Sequence, residues 1–155
     1  MNFEDKLISG LLIKRYKRFF VDIKLGNKIV TAHCPNTGSM QGLLDKNNKV
    51  WLTKTANPNR KLKYTLQIIE NQNAKVGINT HITNKITLEA LKSSIIEKFK
   101  NFETVKQEVN FGSNTRFDFL ITEGTKKSFI EVKNVTLSRK KGVAEFPDAV
   151  TSRGL

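Results

Sequence analysis

Acidic residues are scarce in this chain: 14 stand against 27 lysines and arginines in 155 residues, a formal net charge of +13. A field of that sign attracts polyanions. Cysteine is nearly absent, and Cys34 alone excludes an internal disulfide and a cysteine-built zinc cluster and points to a reducing compartment. No apolar run approaches the length of a membrane span. The opening residues, MNFEDKLISGLLIKRYKRFF, lack the basic-then-apolar order of a signal peptide, so a cytoplasmic protein is expected. There is no basic amphipathic helix with a broad apolar face and no lipidation signal, which sets nucleic acid above membrane as the partner of the positive charge. Part of the excess of Lys, with abundant Asn and Ile, is also what an AT-rich genome writes. Internal repeats and low-complexity tracts are missing as well. A chain of this length can bury one ordinary core or two small ones, and the patterns below favour two.

The most informative stretch is Arg116 to Asn134, RFDFLITEGTKKSFIEVKN. Thr115 to Ile121 and Ser128 to Asn134 alternate polar and apolar residues with the period of a strand, and Glu123-Gly124-Thr125-Lys126 is a hairpin turn with Gly at its first central position. With Glu123 paired to Lys126, counting back sets Asp118 opposite Glu131 and Arg116 opposite Lys133. These four share one face, while Phe117, Phe119, Ile121, Ile130 and Val132 point to the core. Two carboxylates directly across a strand pair, about 5 Å apart at Cβ, repel one another. A hard, oxygen-preferring cation such as Mg²⁺, with Mn²⁺ as its substitute, resolves the conflict, and Lys133 adds a cation on the same face. The pattern D…E-x-K thus suits phosphodiester hydrolysis, with Asp118, Glu131 and Lys133 as catalytic residues. A solvated strand face with diagonal ion pairs is the alternative.

The region from Leu7 to about Asn79 reads as all strand: Leu7–Lys14, Arg18–Leu25, Lys28–His33, Val50–Thr55 and Leu62–Glu70. Five short strands suggest a small barrel, of which the OB-like form is the common nucleic-acid binder. Lys14-Arg15-Tyr16-Lys17-Arg18-Phe19-Phe20 interleaves cations with aromatics, so Lys14, Arg15, Lys17 and Arg18 are candidate nucleic-acid contacts. The turn from Ala32 to Met40 is rich in small polar residues but matches no phosphate-loop spacing. His33 and His81 stand alone in sequence and are expected to be structural, and Cys34 is expected to be a small buried residue. After a change of character near residue 80, Thr83 to Lys100 carries a helical apolar stripe of Leu88, Leu91, Ile95 and Phe99, with Thr83 or Asn84 as its cap. Glu89, beside that stripe, is a third metal-ligand candidate with Asp118 and Glu131. Glu108, on the strand from Glu103 to Asn110, is a fourth carboxylate. The division is therefore 1–80 as a nucleic-acid-binding barrel and 81–155 as an α/β layer with acids at mid-sheet.

Leu11-Ile13-Arg15-Arg18-Phe19, AHCPNTGSM at 32–40, VGINT at 76–80, RFDF, IEVKNVTL, and FPDAVTSRG at 146–154, in that order, closely resemble the sugar fermentation stimulation protein family of bacteria and archaea. The resemblance implies an α+β mixed fold, an N-terminal OB-like barrel followed by a nuclease-like domain of the PD-(D/E)xK type. It also implies largely nonspecific DNA binding and a regulatory role in sugar, notably maltose, metabolism. Asp118, Glu131 and Lys133 then match the nuclease-like motif and Glu89 its helix-borne acid. Arg153 falls in the segment opening a next helix, with Asp148 as its cap. The PNTGS segment becomes a functional loop, adding Asn36, Thr37 and Ser39 to the nucleic-acid contacts. Family members continue past FPDAVTSRG, so the nuclease-like domain is expected to be incomplete here, with a separate C-terminal fragment as a further partner. Three readings follow: a DNA-binding protein, a Mg²⁺-dependent nuclease, or an inactive remnant that does not fold cooperatively alone.

Overall fold

The structure is a computed structural model that describes residues 2–3, 5–71, 74–140 and 142–145. Asp148, Arg153 and the rest of the 146–154 motif lie outside them. Two compact units are present: Asn2–His81 together with the described residues from Asn134 on, and Ile82–Lys133. The stretch after the second sheet thus belongs by its contacts to the first unit.

In the first unit β1 (Ile8–Tyr16), β2 (Phe20–Leu25), β3 (Lys28–His33), β4 (Lys49–Lys54) and β5 (Tyr64–Glu70) pair in the order β3-β2-β1-β4-β5. A parallel bridge from His33 to Thr65 joins the two ends and closes an OB-like five-stranded barrel. A short β6 (Lys75–Gly77) adds to β5, a strand too brief to show any period in the sequence. The barrel interior is fully buried aliphatic packing by Leu12, Val21, Ile23, Val50, Leu52 and Leu66, with Cys34 among them. Gly10 permits the approach of β2 to β1. A Cβ there would stand 2.6 Å from Leu25 Cδ2 and 2.8 Å from the Lys24 carbonyl oxygen. Between Leu12 and Lys14 the β1–β2 register shifts by a bulge. Leu12 opposite Ile23 and Arg15 opposite Val21 therefore both lie on the core side, while Lys14 and Tyr16 face out.

In the second unit β7 (Thr104–Phe111), β8 (Thr115–Glu123) and β9 (Lys126–Ile130) form an antiparallel sheet with β8 in the middle. The helix α1 (Thr83–Lys92) contributes Leu91 to a small core with Phe119 and Ile121. This helix is shorter than the apolar stripe suggests. Ser94 takes a left-handed φ of 54°, Ser94 N–H donates to the Leu91 carbonyl and Ile95 N–H to the Ala90 carbonyl, the two bonds of a Schellman stop. Glu97–Phe99 continues as a 3-10 turn through which Phe99 still reaches the core, whereas Ile95 is exposed. Neither Thr83 nor Asn84 is the cap. The capping position is Ile82, without a side-chain bond, and Asn84 is used elsewhere. No helix among the described residues is long and apolar enough to cross a membrane.

Candidate nucleic-acid interface and carboxylate hairpin

Residues directly opposite one another in a ladder share a face, so the pairings Tyr16↔Phe20, Phe20↔His33 and His33↔Thr65 define one row across the outside of the barrel. Tyr16 and Phe20 stack with ring centroids 5.6 Å apart, and Lys14 Nζ lies 5.5 Å from the Tyr16 centroid. Asp22, next on this face, accepts from Tyr16 Oη at 3.3 Å and Thr31 Oγ1 at 2.8 Å, which fixes the Tyr16 ring. Joining β1 to β2, Lys17 and Arg18 both adopt positive φ, 47° and 61°, and Phe19 beside them is 47% exposed. Left-handed backbone costs roughly 1 kcal/mol or more for each residue with a Cβ, so Asn-Gly would be the easier turn here. Lysine and arginine at such positions carry charge that the fold itself does not need.

Arg15 has a different task from its neighbours. Its guanidinium donates from Nη2 to the Asn36 carbonyl at 2.8 Å, from Nη1 to the Gly38 carbonyl at 2.9 Å and from Nε to the Arg18 carbonyl at 3.0 Å. It ties the 36–38 loop to the β1–β2 turn. Asn36 is buried, and its Oδ1 accepts the Gly38 N–H at 2.8 Å, so it shapes the loop from within. Cys34 Sγ lies 3.5 Å from both the Asn36 carbonyl and Met40 Sδ, which closes the loop's inner side. Thr37 and Ser39 are exposed beside Arg18's turn, the only two of the three loop candidates open to a ligand.

His33 and His81, far apart in sequence, are neighbours in the first unit, with ring centroids 6.4 Å apart. Arg60 joins them, its Nη2 donating to Thr65 Oγ1 at 2.9 Å. Burial, the Arg60 charge and His81 together push the His33 imidazole below its ordinary pKa. His33 Nδ1 is shut off from water and has no partner among the described residues, an arrangement that costs about 1–3 kcal/mol where nothing satisfies it. Nothing in local sequence announces this group, since it is the barrel closure and the bond from Thr80 Oγ1 to the Pro35 carbonyl that bring it together.

In the second unit the hairpin register is the one the turn dictates: Glu123↔Lys126 through Phe119↔Ile130, with Gly124 at φ 56°. The ladder stops there, one step short of Asp118 opposite Glu131. In place of a further backbone bond, Val132 N–H donates to Asp118 Oδ2 at 2.7 Å and Asn84 Nδ2 to Asp118 Oδ1 at 2.8 Å. Lys133 Nζ meets Glu131 Oε1 at 2.8 Å with both side chains about half exposed. Arg116 pairs with Glu108 Oε2 at 3.0 Å, and Glu108 itself has a left-handed φ of 53°. Glu89 sits on an exposed side of α1. No three His, Cys, Asp or Glu side chains among the described residues cluster to hold a metal. Each Asp118 oxygen accepts one hydrogen bond from these donors and keeps a second lone pair.

Residues 13–78 match the model of the SfsA N-terminal OB domain, and residues 81–155 that of the sugar fermentation stimulation protein RE domain. A sugar fermentation stimulation protein homolog of Pelagibacter ubique is 56% identical over 99% of this chain and 66% of its own length. The homolog of Brucella anthropi is 44% identical, with 99% and 67% covered. The chain thus spans about two thirds of the length of the curated relatives it matches. The structure of Pyrococcus furiosus SfsA in complex with Ca²⁺ shares the fold, with a TM-score of 0.81 at 22% identity over 99% of this chain and 64% of that one. Both halves and nearly the whole length agree, and the chain belongs to the sugar fermentation stimulation protein family.

Proposed function

We propose that the chain binds nucleic acid, DNA foremost, with weak sequence preference, through the outer face of its barrel. The observation that carries this is the strained Lys17-Arg18 turn set beside the Tyr16–Phe20 stack. Cations track the phosphates while aromatic faces accept bases of any identity. The net charge of +13 adds long-range attraction. A role in sugar, notably maltose, metabolism would then be exerted in the cytoplasm through DNA. In anisotropy titrations of a labelled oligonucleotide, joint replacement of Lys14, Lys17 and Arg18 by Gln is expected to weaken binding at least tenfold at low salt. The slope of log affinity against log salt should fall by about two to three. An unchanged slope would place the interface elsewhere.

The hairpin favours a second activity, metal-dependent phosphodiester hydrolysis, because Asp118 is held by two donors that leave each of its oxygens a second lone pair. The Pyrococcus furiosus relative is described in complex with Ca²⁺, in keeping with a hard divalent cation at this hairpin. A cation held by Asp118 and Glu131 would polarise a phosphoryl oxygen and acidify a water. Asn84 and the Val132 amide orient the Asp118 carboxylate, and Lys133 is placed to steady charge on a phosphate. Lys133→Ala is expected to lower Mg²⁺- or Mn²⁺-dependent cleavage of labelled DNA by a hundredfold or more while retention on the gel stays the same. Cleavage that persists in the variant removes Lys133 from the chemistry.

A further inference from the structure

We infer that His33, Arg60 and His81 form a phosphate site at the end of the aromatic row, seating the phosphate that follows a base stacked on Tyr16 and Phe20. The row is continuous in register, Tyr16–Phe20–His33–Thr65, so the distance from Phe20 to the bridged strand is two inter-strand steps of about 4.8 Å each. That is close to the span from a nucleobase to its own phosphate. Arg60 is exposed, and the bond to Thr65 Oγ1 engages one of the five N–H groups of its guanidinium, which holds the fork in place. His81 is exposed and is anchored from its backbone, where its N–H donates to Asn79 Oδ1 at 3.0 Å.

The charge balance favours an anion. The groups that bear on His33 are Arg60 from the 55–63 loop and His81 from a second 3-10 turn, Thr80–Ile82, both basic, while β2 and β5 present the uncharged Phe20 and Thr65. A metal cation would meet the guanidinium. A phosphate oxygen instead meets the exposed Arg60 and His81 together, with the His33 ring beside them. The depressed imidazole agrees with a site whose counter-charge arrives with the ligand.

This inference deepens the nucleic-acid reading, and two probes separate them. The full chain, labelled at its histidine rings, is titrated near pH 6 with inorganic phosphate and, separately, with a short oligothymidylate. Arg60→Gln, His81→Gln and a control on the second sheet, Lys127→Gln, are taken through the same titrations. Both ligands are expected to shift the His33 and His81 ring signals, and phosphate to bind more tightly as the pH falls. Arg60→Gln and His81→Gln should each lower oligonucleotide affinity about five- to tenfold and reduce the salt slope by about one, with Lys127→Gln near wild type. Ring shifts with inorganic phosphate but no oligonucleotide binding would assign the site to a small phosphorylated ligand, keeping the site and sinking the nucleic-acid reading. Oligonucleotide binding that is unaltered in both variants, with histidine signals that neither ligand moves, would overturn the phosphate site and leave the nucleic-acid reading intact.

Discussion

Arg15→Ala is expected to destabilise the barrel by about 3 kcal/mol, because it removes three charge-assisted hydrogen bonds to backbone carbonyls that no other group replaces. For a domain of this size that is a drop of roughly 15 °C in the thermal midpoint. Nucleic-acid affinity, measured well below the transition, should change modestly, with almost no change in its salt slope, since the guanidinium is engaged internally. Lys17→Gly is its mirror image. The residue has a positive φ of 47°, so glycine is expected to stabilise the turn by up to about 1 kcal/mol, yet binding should weaken through the lost charge. The two substitutions together distinguish loop-setting from phosphate contact. An Arg15→Ala protein that melts like wild type but binds with a shallower salt dependence would return Arg15 to the interface.

The contrast between Arg15 and Lys17 also marks where the sequence stops being readable. Alternation along β1 makes Lys14 and Tyr16 look like partners of Leu12, and only the bulge between Leu12 and Lys14 reverses them and turns Arg15 inward. Bulges depend on how a strand must curve to close a barrel, which is a property of the whole sheet. The hairpin is the opposite case. Gly124 at the first central turn position fixes the register locally, and every pair from Glu123 to Phe119 follows by counting. What the count does not contain is the end of the ladder, where Asp118 exchanges backbone pairing for Asn84 and the Val132 amide. Asn84 reads as a helix cap because its spacing suits one, but the Asp118 carboxylate is the stronger partner. The helix stop at Ser94 is hidden for a related reason, since the left-handed position usually signalled by glycine is taken by serine. The His33–Arg60–His81 group is the least legible of all, for its three members come from a strand end, a loop and a turn brought together by the β3–β5 closure and by the Thr80 Oγ1–Pro35 carbonyl bond.

Phe119→Ala should unfold the second unit while leaving the barrel folded. Among the described residues Phe119 is the largest fully buried side chain, and its core has only Leu91 and Ile121 as other buried members. Truncation to alanine in such a setting costs about 3–5 kcal/mol, comparable with the whole stability that a unit of this size commands. The barrel has its own, larger aliphatic core and shares none of those residues. Hydrogen exchange read by mass spectrometry is therefore expected to show β7, β8 and β9 losing protection as a group while β1 to β5 keep theirs. Oligonucleotide binding through the barrel face should survive, whereas any metal-dependent cleavage should disappear along with the geometry around Asp118. Simultaneous loss of protection in both units would mean that they fold as one cooperative block. In that event the separation of binding from hydrolysis would have to rest on Lys133→Ala alone. If instead binding fails while the barrel stays protected, the second unit itself contributes to holding the nucleic acid, and the Lys14, Lys17 and Arg18 face is only part of the interface.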